Sequence, residues 1–142
     1  MTRFIYATAT TLDGYLADRE NSLDWLFVVE GGQEALREIE EFNKGVSVII
    51  EGSTTYEWVV EHENLPENPE KWQELYDDRK TFVFTSRDDL PVVPGADIEF
   101  VSGEVSDHEA EIRKAAGESD VWIVGGGDLA GQFAKAGMLD EL

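Results

Sequence analysis

The chain contains no cysteine, which excludes a disulfide framework, a thiolate metal site and a cysteine nucleophile. It has two histidines, His62 and His108, in polar contexts and too few and far apart for a metal site. No G-x-S-x-G motif occurs, so nothing supports a serine nucleophile of the hydrolase type. No apolar run approaches the roughly 20 residues that cross a bilayer. The opening Met1-Thr2-Arg3-Phe4-Ile5-Tyr6 turns polar too quickly for a signal peptide, and the expectation is a cytoplasmic protein. Positive charge is scarce: 11 Lys and Arg face 31 Asp and Glu, for a net charge of −20. Such a surface repels nucleic acid and anionic membranes, and neither is expected as a partner. An anionic ligand would have to be held by backbone amides and a few basic side chains.

What is present is a foldable core. With 142 residues and 42% hydrophobic content, the chain is expected to form one domain over 1–142. Apolar, β-branched stretches alternate with amphipathic ones. Arg3 to Thr11 reads as a first strand, broken by Asp13-Gly14. Asp24-Trp25-Leu26-Phe27 is expected to anchor the following loop. A helix after Gly31-Gly32 carries Leu36, Ile39 and Phe42 at helical spacing, with Gly45 expected as its left-handed cap. Val46 to Ile50, apolar but for Ser47, reads as a short strand of the buried parallel kind.

A second helix follows Gly52, with Ser53 or Thr54 expected as N-cap. The spacing then predicts a short helix near Pro69 to Asp78, strands at Thr81–Thr85 and Ile98–Val101, and a helix capped by Ser106 with Glu109 in a capping box. A strand at 121–124 and a helix after Gly127 complete the pattern. This order predicts an α/β fold with a mostly parallel central sheet flanked by helices.

The run Val121-Trp122-Ile123-Val124-Gly125-Gly126-Gly127-Asp128-Leu129 is the most informative. Four apolar residues lead into three glycines and a helix start. Amides freed by such a turn, aimed along a helix dipole, form an anion site. The alternative is a tight turn with no ligand, since the spacing is not G-x-G-x-x-G.

Three segments together resemble the dihydrofolate reductase superfamily, in the branch with the reductase domain of riboflavin biosynthesis (the RibD C-terminal type). They are Thr11-Leu12-Asp13-Gly14-Tyr15-Leu16-Ala17, Gly52-Ser53-Thr54-Thr55-Tyr56-Glu57, and Val124 to Phe133 with the later Leu139-Asp140-Glu141-Leu142. The resemblance implies a three-layer fold, a reduced nicotinamide cofactor, normally NADPH with NADH as the alternative, a small-molecule substrate and a homodimer. It also implies two closing antiparallel strands, for which the chain has no residues; a truncated C-terminus is the expectation.

Carried onto this chain, the resemblance has Gly125, Gly126 and Gly127 cradle the pyrophosphate, with Val124 before them and Asp128 and Leu129 at the helix start. Gly52, Ser53, Thr54 and Thr55 would bind its other side and the adenosine end. Thr85, Ser86 and Arg87 would sit near the adenine ribose. Thr11, Asp13 and Gly14 would belong to a loop over nicotinamide and substrate, with Asp13 the candidate acid and Trp25 on the substrate side. Two positions depart from the pattern: Ser53 stands where the family commonly has an arginine and Asp128 where some relatives carry one, which removes forks for phosphate oxygens. Arg87 is the candidate replacement.

The implied activity is hydride transfer from NAD(P)H to a small heterocyclic or carbonyl/imine substrate, similar to dihydrofolate reductase or the aminouracil reductase of riboflavin biosynthesis. The alternative is a nucleotide-binding protein that kept the fold without turnover.

Overall fold

The computed structural model describes residues 1–142. Five strands form one sheet: β1 (Phe4–Tyr6), β2 (Val46–Gly52), β3 (Lys80–Phe84), β4 (Ile98–Val101) and β5 (Asp120–Gly125). Their spatial order is β1-β5-β2-β3-β4, and every neighbouring pair runs parallel. The helices are α1 (Asp24–Phe27), α2 (Gly32–Asn43), α3 (Ser53–His62), α4 (Glu70–Tyr76), α5 (Glu109–Ala116) and α6 (Gly127–Lys135).

Strand alternation divides the core into two layers. On one face Val48 and Ile50 of β2 and Val121 and Ile123 of β5 pack with Ile112 of α5 and Leu129 and Phe133 of α6. On the other, Ile49 and Val83 meet Tyr56, Val59 and Val60 of α3 and Trp72 and Tyr76 of α4. Trp122 and Val124 join this second layer, and the Trp122 indole donates to the Ala7 carbonyl at 2.9 Å. Central strands covered on both faces explain why β2 is mostly apolar, with only Ser47 and Glu51 interrupting Val46, Val48, Ile49 and Ile50.

Local chemistry corrects several expectations. Strand β1 is confined to Phe4–Tyr6, and the threonines after it are loop. Helix α2 ends at Asn43 with Lys44 as its cap, and Gly45 is not left-handed. Its amide donates to the Phe42 carbonyl, while its own carbonyl receives the Asp120 amide at 2.8 Å, so it leads into the sheet. Leu36 and Ile39 of α2 stay exposed. Gly52, not Ser53 or Thr54, is the N-cap of α3. A single 3₁₀ turn, Val105–His108, precedes α5, so Ser106 does not cap it.

The connections place the site. From β5 the chain leaves through α6 on one face; from the adjacent β2 it leaves through α3 on the other. Neighbouring strands whose helices diverge open a crevice at their carboxyl ends, where open α/β sheets bind ligands.

Candidate functional site

Two glycine turns meet at this crevice. Gly52 caps α3 with extended backbone, and Gly126 caps α6 in the same way. Neither helix start receives a side-chain capping hydrogen bond. The first amides of a helix have no partner within it, so both ends present free donors and the positive end of a dipole.

The turns touch. A Cβ built on Gly52 would lie 3.6 Å from the Gly125 carbonyl oxygen and 3.7 Å from the Gly126 nitrogen, so a larger side chain there would fill the junction. Gly125 has φ +151°, a conformation side chains rarely adopt, and the Gly125–Gly126 peptide is cis.

This junction is a waist between two cavities of different character. The first, about 410 Å³, lies on the α3 and α4 side and is walled by Leu16, Leu23, Leu26, Trp58, Val59 and Leu75, with Thr55 and Gly126 at its floor. It contains no lysine, arginine or histidine, and Glu63 is its one carboxylate. The second, about 380 Å³, runs across the ends of β5, β2, β3 and β4 and is lined mainly by hydroxyl and amide groups. Thr54 and Gly126 border both.

Most of the expected cofactor residues converge here. Thr54, Thr55, Val124, Gly125 and Gly126 line the apolar cavity; Gly52, Ser53, Thr54, Thr85, Ser86, Gly126, Asp128 and Leu129 line the polar cleft. Gly127 stands at the start of α6, where a Cβ would lie 3.7 Å from Leu16.

Others lie apart. Thr11 and Asp13 satisfy each other: the Thr11 hydroxyl donates to the Asp13 carboxylate at 2.6 Å and accepts the Tyr15 amide at 2.9 Å, while the Gly14 amide donates to the Thr11 carbonyl. The loop reaches the cavity wall on either side of this turn instead, with Thr8 and Ala9 before it and Leu16, Ala17, Asn21 and Leu23 after it. Trp25 does not line the cavity; its indole nitrogen is buried without a partner, next to the wall residues Leu23 and Leu26. The Arg87 guanidinium is bound by Glu57 at 2.7 Å and by both oxygens of Asp89 at 2.8 and 3.0 Å. These carboxylates hold its pKa above the usual arginine range and turn it to them instead of the cleft.

One group was missed by sequence reasoning. Glu51, paired across the sheet with Gly125, is fully buried and accepts the Tyr76 hydroxyl at 2.6 Å. Its other oxygen has no partner. Burial pushes this carboxyl up to about 7, against the opposing pull of the Tyr76 hydrogen bond. Burial and the nearby carboxyl also raise Tyr76 well above its ordinary range and Tyr56 to about 12. Tyr76 itself lines the apolar cavity, connecting the buried acid to its wall. The available signal was a charged residue inside an otherwise apolar buried strand.

A five-stranded parallel sheet flanked by helices, with a glycine-capped crevice at its carboxyl end, places the protein in the α/β class. Within that class the chain belongs to the RibD C-terminal domain family, whose model matches residues 3–142. It is 31% identical to YwjB of Bacillus subtilis (strain 168), an uncharacterized protein, over 133 residues, 94% of this chain and 69% of the relative. A second uncharacterized protein of that organism, YyaP, is 24% identical, with 98% of this chain and 71% of the relative covered. Among solved structures, a "Putative riboflavin biosynthesis protein" from Shewanella sp. PV-4 superposes with a TM-score of 0.64 at 25% identity, covering 99% of this chain and 73% of that one.

Proposed function

We propose that this protein is a nicotinamide-dinucleotide-dependent reductase acting on a small heterocyclic or carbonyl/imine substrate. The observation that carries the reading is the waist: two helix N-termini, each capped by a glycine with no side-chain capping hydrogen bond, facing one junction between an apolar and a polar cavity. A dinucleotide has the same plan, two nucleoside ends joined by a pyrophosphate. The amides of the first turns of α3 and α6 suit the pyrophosphate, because helix amides and dipoles favour anions even against a negative global charge. Membership in the RibD C-terminal domain family supports the same reading.

A bound reduced nicotinamide supplies the hydride, so no protein nucleophile is required. The chain's own contribution is placement and exclusion of water. Leu16, Leu23, Leu26, Trp58 and Leu75 would give the reacting rings an apolar wall. The reduction also consumes a proton. Tyr76 with Glu51 behind it forms the titratable pair at this wall, whereas the Asp13 carboxylate is engaged within its own turn. A substrate phosphate would find no cationic side chain in this cavity, which favours an unphosphorylated substrate over the phosphate-bearing compounds of riboflavin biosynthesis.

The test follows the ultraviolet absorbance of reduced nicotinamide with a panel of pteridines, aminopyrimidines, aldehydes, ketones and cyclic imines. Oxidation dependent on both protein and substrate is expected. Cofactor affinity without turnover on any class would instead support a non-catalytic nucleotide-binding protein.

A further inference from the structure

The polar cleft offers a carboxylate where a phosphate would need a cation. Its polar side chains are the hydroxyls of Ser53, Thr54, Thr85, Ser86 and Ser102 with Asp128 and Gln132, and no lysine or arginine reaches it. Asp128 projects from the first turn of α6, and the Gln132 amide donates to one of its oxygens at 2.8 Å. That bond fixes the carboxylate at the cleft and leaves acceptor capacity on it. The Arg87 guanidinium, one residue beyond the cleft residue Ser86, is held on Glu57 and Asp89. Releasing it would break three charge-assisted hydrogen bonds, each among the stronger kinds.

The two adenosine forms of the cofactor differ at one position. A ribose with free hydroxyls donates hydrogen bonds, which a carboxylate accepts. A ribose bearing a phosphomonoester adds about two negative charges at neutral pH, which a carboxylate repels and which only a cation or several donors can balance. The net charge of −20 adds a field of the same sign.

We infer that this cleft selects the nicotinamide dinucleotide that lacks the ribose 2'-phosphate, and that Asp128 is the specificity-determining residue. This rests on the dinucleotide reading of the site and departs from the NADPH that the resemblance implies. In the complex Asp128 accepts a ribose hydroxyl, while Ser53, Thr85 and Ser86 supply neutral hydrogen-bonding groups around the sugar.

Isothermal titration of the whole chain with NADH and with NADPH tests it, alongside Asp128→Asn and Asp128→Arg. Asp128 is solvent-exposed, and circular dichroism verifies that each variant is folded. NADH is expected to bind the wild type at least about tenfold more tightly than NADPH at low salt, the scale of one unfavourable charge contact of about 1.4 kcal/mol. Raising salt from about 50 to about 500 mM should narrow the gap, because the contact is exposed and screened. Asp128→Asn should narrow it by improving NADPH binding, and Asp128→Arg should reverse it. Equal or tighter binding of NADPH by the wild type overturns the selectivity and leaves the dinucleotide site standing. Binding of neither cofactor at millimolar concentration overturns the dinucleotide reading itself.

Discussion

Glu51 is a fully buried carboxyl in the centre of the sheet. A carboxyl raised to about 7 from 4.5 is protonated in the folded protein over a range where it is ionised in the unfolded chain. Its stabilising contribution is therefore fully present below about pH 4.5 and is lost as pH rises through about 7. The size is on the order of 3 kcal/mol. Replacing Glu51 by Gln keeps an acceptor for Tyr76 and removes the titration. Urea unfolding across this window should show the stability gap between wild type and Glu51→Gln shifting by that amount toward the variant as pH rises. A gap that stays constant would contradict a buried, protonated carboxyl. Other carboxylates titrate in both proteins and cancel in the difference.

At this scale the sequence was only partly readable. Asp128 and Ser53 could be seen to lack the positive charge of their counterparts. Arg87 could be seen as a cation near the site, but not that Glu57, 30 positions away, and Asp89 would hold it. Ion pairing across elements depends on tertiary placement, which local pattern does not contain.

At the scale of elements, the glycine turns do the positioning. Gly125 at φ +151° ends β5, and its successor, Gly126, caps α6. An alanine here meets ordinary contact distances, 3.5 Å to the Thr55 hydroxyl, but a backbone conformation that costs about 1–3 kcal/mol for a side chain. Gly125→Ala should lower stability by that amount in denaturant unfolding and weaken dinucleotide binding, since relaxing the turn moves the α6 amides. Unchanged stability and affinity would show that the turn tolerates a side chain after all.

The strands and their loops were legible because β-branched runs ended by glycine carry a strong local signal, as at Val46 to Gly52 and Val121 to Gly127. The caps were not. Ser53 and Thr54 have the residue type of an N-cap, yet the chain enters α3 through Gly52 and those residues fall inside the first turn, bordering the cleft. A hydroxyl preferred for capping has the same composition as one placed to meet a ligand. The amphipathic pattern of α2 was likewise visible, but Leu36 and Ile39 are exposed, 60% and 46%, so periodicity alone did not reveal which face this chain covers.

For the molecule as a whole, a parallel sheet brings residues from distant segments to one end: Thr54 after β2, Thr85 after β3, Ser102 after β4 and Gly126 after β5. That convergence turns a triple glycine, ambiguous by itself, into one side of a two-chambered crevice. No helix is long and apolar enough to cross a membrane. An anionic ligand in this crevice would meet a repulsive field from the excess of negative charge, which the local amides would have to outweigh.

The most direct test of this central claim is a backbone amide NMR titration of the chain with NADH. The amides of Ser53, Thr54, Thr55, Gly127, Asp128 and Leu129 should show the largest shifts, with smaller ones along Thr85 and Ser86. An absence of shifts at millimolar ligand, or shifts confined to a surface away from Gly52 and Gly126, would contradict it.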